Sequence, residues 1–158
     1  MRAMLVVVAA GMLGAAAGPA AAQMVDAARP QSVVTAIQEA GYRAALETAK
    51  SGKPLIRSAA NGSGFTVLFD DCDAQNRNCR SLVFVSWYKP KPGWTIERLN
   101  KFQDEKKFLR VYFDKDGDMV ADYWITTLGG LPDANFKDAL DWFVVMSGQL
   151  LTFLDGGD

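Results

Sequence analysis

Apolar and polar positions change their period several times between Pro30 and Leu154. Val33, Val34, Ile37 and Ala40 fall at helical spacing over Gln31–Ala40, with Pro30 or Ser32 placed to open the helix and Gly41 to close it. Tyr42–Ala49 reads as a weak strand ended by Ser51-Gly52, and Pro54–Ala59 as a second one ended by the hairpin pair Asn61-Gly62. Phe65, Val67 and Phe69 then alternate with Thr66 and Asp70, interrupted by Leu68. Leu82–Tyr88 is apolar at both parities, the pattern of a central strand. Pro90 and Pro92 stop it, and Thr95 is placed to cap a helix over Ile96–Glu105 with Ile96, Leu99 and Phe102 or Gln103 as its buried stripe. Leu109, Val111 and Phe113 alternate with Arg110, Tyr112 and Asp114. Asp116-Gly117 predicts a two-residue type I′ turn into Met119–Ile125, which alternates around Asp122. Gly129-Gly130 breaks that strand, and Pro132 or Asp133 opens a long helix to about Leu154. Residues 23–29 show no period and read as an unstructured lead-in to a domain over 30–155. The order α-β-β-β-β-α-β-β-α, with hairpins dominating, predicts a single α+β domain with a largely antiparallel sheet covered by helices.

The first 22 residues carry a different pattern, that of a secretory signal peptide. Arg2 precedes an uncharged Ala/Val/Leu/Met-rich run of 16 residues, Ala3–Gly18; Pro19 breaks it, and Ala20-Ala21-Ala22 is a small-x-small cleavage site. The run falls short of the roughly 20 residues needed to span a bilayer, so no membrane anchor is expected after processing. No cysteine stands at the cleavage point, against a lipoprotein anchor, and no twin-arginine pair precedes the run, which points to general secretion; the Ala-rich run with its A-x-A site has a bacterial look, which makes the periplasm the expected compartment. Cleavage between Ala22 and Gln23 leaves 136 residues with 16 basic and 18 acidic side chains.

That address gives Cys72 and Cys79 a meaning. In an oxidising compartment they form a disulfide candidate around the polar loop Asp73–Asn78. The chain-entropy model gives such an eight-residue loop about 2.5 kcal/mol. A redox-active pair normally has C-x-x-C spacing, and two thiolates without histidine leave a tetrahedral metal site half empty.

Composition narrows the chemistry. The chain has no histidine, which removes Ser-His and Cys-His catalysis, the common zinc sites and a histidine pH switch. A net charge of −1 argues against nucleic-acid binding driven by bulk charge. Asp114, Asp116 and Asp118 around Gly117 imitate an EF-hand fragment, but the glycine falls at the fourth position and Ile125 stands at the twelfth, so the segment reads as a charged hairpin tip. Asp70 and Asp71 are adjacent strand residues that point to opposite faces and do not converge. Gly129-Gly130 reads as a turn rather than an anion cradle. Residues 89–110 carry seven basic and three acidic side chains among Trp87, Tyr88 and Trp94, but acids at helical spacing such as Glu97 with Lys101 make this a solvated surface. No cofactor is implied.

The last helix is the least ordinary feature, since nine of the 13 residues from Trp142 to Leu154 are large and apolar. One stripe, Phe136, Leu140, Phe143, Leu150 and Leu154, accounts for a core face. It leaves Trp142, Val145 and Met146, so the helix is either sandwiched within the domain or presents these three to a partner.

The run Thr95-Ile-Glu-Arg-Leu-Asn-Lys-Phe through Lys106-Lys-Phe-Leu-Arg-Val-Tyr-Phe-Asp-Lys-Asp-Gly-Asp118 resembles the YbjN family, as do Gly41-Tyr42 and the Gly129-Gly130 turn before Phe136, Leu140, Asp141 and Trp142. The resemblance spans about residues 30–154. It implies a fold similar to type III secretion chaperones, a twisted antiparallel sheet flanked by helices, and the label "putative bacterial sensory transduction regulator"; it transfers no catalytic or ligand residues. Residues and resemblance together lead to the expectation of a non-enzymatic periplasmic module that binds a protein or peptide, with a homodimer as one form of it. An envelope-stress or small-ligand sensor and a carboxylate-dependent enzyme are the alternatives. Expressed in its host, the protein is expected in the periplasmic fraction with Gln23 at or near its N-terminus; an intact mass retaining Met1–Ala22 contradicts the export reading.

Overall fold

The computed structural model describes residues 23–156; the predicted signal peptide, with Ala22 of its cleavage site, lies outside the described residues. The chain runs β1 (Met24–Val25), α1 (Pro30–Glu39), β2 (Ala45–Thr48), β3 (Pro54–Ala60), β4 (Ser63–Asp70), β5 (Ser81–Tyr88), α2 (Ile96–Glu105), β6 (Arg110–Phe113), β7 (Met119–Thr126), β8 (Leu131–Pro132) and α3 (Asp133–Leu154). Six strands form one sheet in the order β2-β3-β4-β5-β7-β6, antiparallel throughout, and β1 pairs with β8 in a separate two-stranded ribbon. The predicted α+β class and element order hold, with the two short ribbon strands added.

Local chemistry explains most boundaries. Pro30 occupies the first turn of α1, where its missing N–H costs nothing. Gly41 at φ +90° ends the helix, with the amides of Gly41 and Tyr42 donating to the carbonyls of Gln38 and Ile37. Ser32 does not cap α1: its hydroxyl accepts from the Asp26 amide at 3.0 Å and donates to the Arg29 carbonyl at 2.8 Å, folding the lead-in onto the helix. Thr95 caps α2, its hydroxyl accepting from the Arg98 amide. Asn61 and Gly62, at φ 52° and 73°, make the two-residue turn between Ala60 and Ser63.

Three expectations are corrected. Residues 23–29 are not an unstructured lead-in: Val25 and Ala27 are buried, the Ala27 amide donates to Thr127 Oγ1 at 2.9 Å, and the Asp133 amide donates to the Gln23 carbonyl. A two-residue strand shows no period, and its partners lie about 100 residues away, so local pattern carried no trace of it. The β6–β7 turn is not type I′. Phe113 pairs with Met119 and the Asp114 amide donates to the Asp118 carbonyl, which leaves a three-residue loop of Lys115, Asp116 and Gly117; of these only Gly117 has positive φ, and Asp114 Oδ1 accepts from the amides of both Asp116 and Asp118. Ile96 is 48% exposed; Leu99 and Phe102 alone form the buried stripe of α2, while Gln103 accepts from the Val111 amide at the free edge of β6.

The core lies between one face of the large sheet and the helices. Phe84, at the centre of β5, sits against Phe136 and Phe143 of α3 with ring centroids 5.8 and 5.6 Å away. Phe143 also meets Phe65 of β4 edge-on, and Lys137 of α3 reaches Glu39 of α1 at 3.1 Å. Phe136, Leu140, Phe143, Leu150 and Leu154 are all buried, the stripe the periodicity marks. Cys72 and Cys79 are joined in a disulfide that closes the β4–β5 connection, and Asn76 within that loop donates to the Ser51 carbonyl at 2.9 Å, tying it to the β2–β3 turn. Leu140→Ala, which empties a fully buried position, is expected to cost about 2–5 kcal/mol in urea unfolding with an unchanged denaturant slope.

Candidate functional site: the helix-free face of the sheet

Strand alternation sends every second side chain of β3–β7 away from the helices. Cross-strand register assembles these into rows: Arg57, Thr66, Val85, Asp122 and Arg110 form one, and Leu55, Leu68, Val83 and Trp124 the next. No helix covers this face among the described residues, yet Val83, Val85 and Val120 are each under 5% exposed, with Leu68 and Tyr112 packed against them. Their own neighbours shield them. Trp87 and Trp124 stand half-exposed at the two ends of the valine patch. Val83 pairs with Trp124 and Val120 with Trp87, so the indoles are four residues apart along the sheet, roughly 13 Å. Between them is a cleft of about 330 Å³, floored by Leu68, Val83 and Val85.

Two ion pairs wall the cleft. Asp122 is 3% exposed in side chain, yet it stays satisfied because Arg110 clamps it side-on, Nε to Oδ1 at 2.9 Å and Nη2 to Oδ2, with the Tyr112 hydroxyl donating to Oδ2 at 3.4 Å. The Arg110 guanidinium lies 4.8 Å from the Tyr112 ring centroid, and its hydrogen bond to Asp122 raises its pKa further, fixing the cation. Burial first, and the Asp122 charge second, push the Tyr112 phenol up, so it stays protonated as a donor. On the other wall Lys53 donates to Asp70 at 2.7 Å, and that bond holds the Asp70 carboxyl below its ordinary 3.8. A lowered folded pKa makes this contribution complete above about 3.8 and lost as pH falls through the lower folded value. Asp71 points elsewhere, to Arg80 at 2.8 Å, as alternation requires.

The other sequence candidates are dispersed. Trp142 is 40% and Val145 41% exposed on α3, but Met146 is 4% exposed and belongs to the core, so the three do not form one surface. The helix turns 100° per residue, and Met146 falls back toward the sheet at the edge of the Phe143–Leu150 stripe. Trp142 stacks on Phe108, ring centroids 4.9 Å apart, and Phe108 in turn meets Tyr123 edge-on. Gln23 is exposed at the start of the described residues. Asp114, Asp116 and Asp118 form the β6–β7 tip, with Lys89 bonding Asp118 and Lys115 bonding Asp116. Sequence reasoning missed Trp87, Arg110, Asp122 and Trp124 as a group. Their signal was Asp122 set within an apolar strand and the double-sided apolarity of Leu82–Tyr88, and neither discloses a partner strand.

A six-stranded antiparallel sheet with helices on one face and an open, tryptophan-flanked face on the other defines a single-domain α+β protein. A family model described as "YbjN: Putative bacterial sensory transduction regulator" matches residues 29–155, and the chain belongs to that family. The structure is similar to the "Crystal structure of YbjN, a putative transcription regulator from E. coli", with a TM-score of 0.51 over 83% of this chain and 90% of that one. At 12% identity the likeness is one of fold. No curated protein matches the chain. Arg110→Gln alone is expected to cost about 3 kcal/mol in denaturant unfolding, because it strands the Asp122 charge, whereas Arg110→Gln with Asp122→Asn recovers most of that loss.

Proposed function

We propose that this chain is a non-enzymatic regulatory module of the periplasm that works by binding a protein or peptide on the helix-free face of its sheet. One observation carries the reading: a valine floor flanked by two half-exposed tryptophans, on a face that no helix of the described residues covers. Tryptophan is the residue type most enriched among binding anchors, and an isolated protein gains nothing by presenting two of them. The membership in a family of regulators supports a binding role over a catalytic one. So does the placement of the carboxylates on this face, since Asp70 and Asp122 are each bonded to a separate cation and do not converge on one point of the cleft. The periplasmic address rests on the signal-like segment, and the Cys72–Cys79 disulfide is consistent with an oxidising compartment. The cleft's volume of about 330 Å³ favours one second reading, a small-ligand sensor.

The test is site-directed photocross-linking in the host, with a benzophenone amino acid placed at Trp124, Trp87, Trp142 or Val145 in separate variants. Adducts are expected from positions 124 and 87, and the adduct at 124 is expected to vanish when Trp87→Asp is added in a variant that still unfolds cooperatively. An adduct of twice the chain mass identifies a second copy as the partner. Adducts confined to positions 142 and 145 overturn the sheet-face assignment and return the interaction to the last helix.

A further inference from the structure

Arg110 uses only part of its donor set. A guanidinium offers five N–H groups in two forks. Asp122 occupies the side-on fork through Nε and Nη2, and Arg110 makes no other hydrogen bond among the described residues. The end-on fork through Nη1 is therefore free. The side chain is 59% exposed while that of Asp122 is 3% exposed, so a ligand entering the cleft meets the cation and not its counter-charge. The plane of the fork is fixed in advance by Asp122 on one edge and the Tyr112 ring beneath it. A preformed, half-used guanidinium beside an apolar floor complements a large apolar group with a bidentate oxyanion a few ångströms from it, and on a peptide that oxyanion is a carboxylate.

We propose that the cleft between Trp87 and Trp124 receives the carboxy-terminal residue of a peptide. Its side chain rests on Leu68, Val83 and Val85 between the indoles, and its carboxylate takes the free fork of Arg110. This rests on the binding reading above and specifies its ligand. Size favours a single residue, because about 330 Å³ is at the small end of ligand sites and holds one bulky side chain with its carboxylate rather than a helix. Only a carboxy-terminal residue carries both groups on one α-carbon, and capture of a terminal carboxylate is an established mode of peptide recognition. Lys53, at the opposite corner of the cleft, is bonded to the equally exposed Asp70, so Arg110 is the cation that faces an entering carboxylate.

The experiment titrates the purified protein, by tryptophan fluorescence and calorimetry, with N-acetylated Gly-Gly-Phe, Gly-Gly-Leu and Gly-Gly-Trp, each as free acid and as carboxy-terminal amide. At least one free acid is expected to bind about tenfold or more tightly than its amide, as a charge-assisted bidentate contact requires. The Arg110→Gln/Asp122→Asn pair, which leaves a neutral bonded couple and a folded chain, is expected to erase that preference. Trp124→Ala is expected to weaken acid and amide alike. Equal binding of acid and amide overturns the inference, as does failure of all six peptides to bind at millimolar concentration. N-acetylphenylalanine binding as tightly as the tripeptide overturns the peptide source in favour of a small aromatic carboxylate. Cross-links from position 124 together with no acid preference overturn this inference alone, whereas loss of both overturns the binding reading with it.

Discussion

Phe84 at the middle of β5 lies between Phe136 and Phe143, and this contact decides which face of the sheet is the inside. A six-stranded sheet has two faces to satisfy, and here one long helix, assisted by α1 and α2, covers only one of them. Everything on the other side follows from that shortage. The open side of an antiparallel sheet is ordinarily polar, and on the central strands β5 and β7 it is largely apolar instead. Val83, Val85 and Val120 fill the middle, Asp122 is tolerated only because Arg110 clamps it, and the indoles at either end shield the floor in place of a helix.

The same constraint separates what the sequence discloses from what it hides. Elements whose signals are local, such as the α2 span from Ile96 to Glu105 with its Thr95 cap and the Asn61-Gly62 turn, appear where their residues place them. Elements defined by distant partners do not. β1 exists because Leu131 and Pro132 lie beside Met24 and Val25, and the β6–β7 loop departs from its predicted turn because the Asp114 side chain competes for the backbone amides. The open face belongs to this second class. Arg110 and Asp122 each read as ordinary polar members of alternating strands; only the register that sets β6 against β7, and β7 against β5, turns them into a buried clamp beside two tryptophans.

The surplus of apolar residues on the last helix resolves in the same terms. Met146 is core, Phe153 packs on Phe102 of α2, and Trp142 has a partner in Phe108, a non-glycine residue held at φ +71°. An aromatic side chain in the left-handed region is costly, so the position persists only where packing outweighs the strain, and the stack of Phe108 on Trp142 with its edge-on contact to Tyr123 supplies that packing. Trp142 thus has an intramolecular reason for being apolar that Trp87 and Trp124 lack. The two sheet-face indoles form no aromatic stack among the described residues, and each remains about half exposed. Among the described residues the sheet face thus holds two half-exposed indoles without an aromatic partner, while Val145 remains exposed on α3. On the binding reading proposed above, recognition falls on the sheet, where the side chains are held by cross-strand register and need no ordering of a loop to engage a ligand.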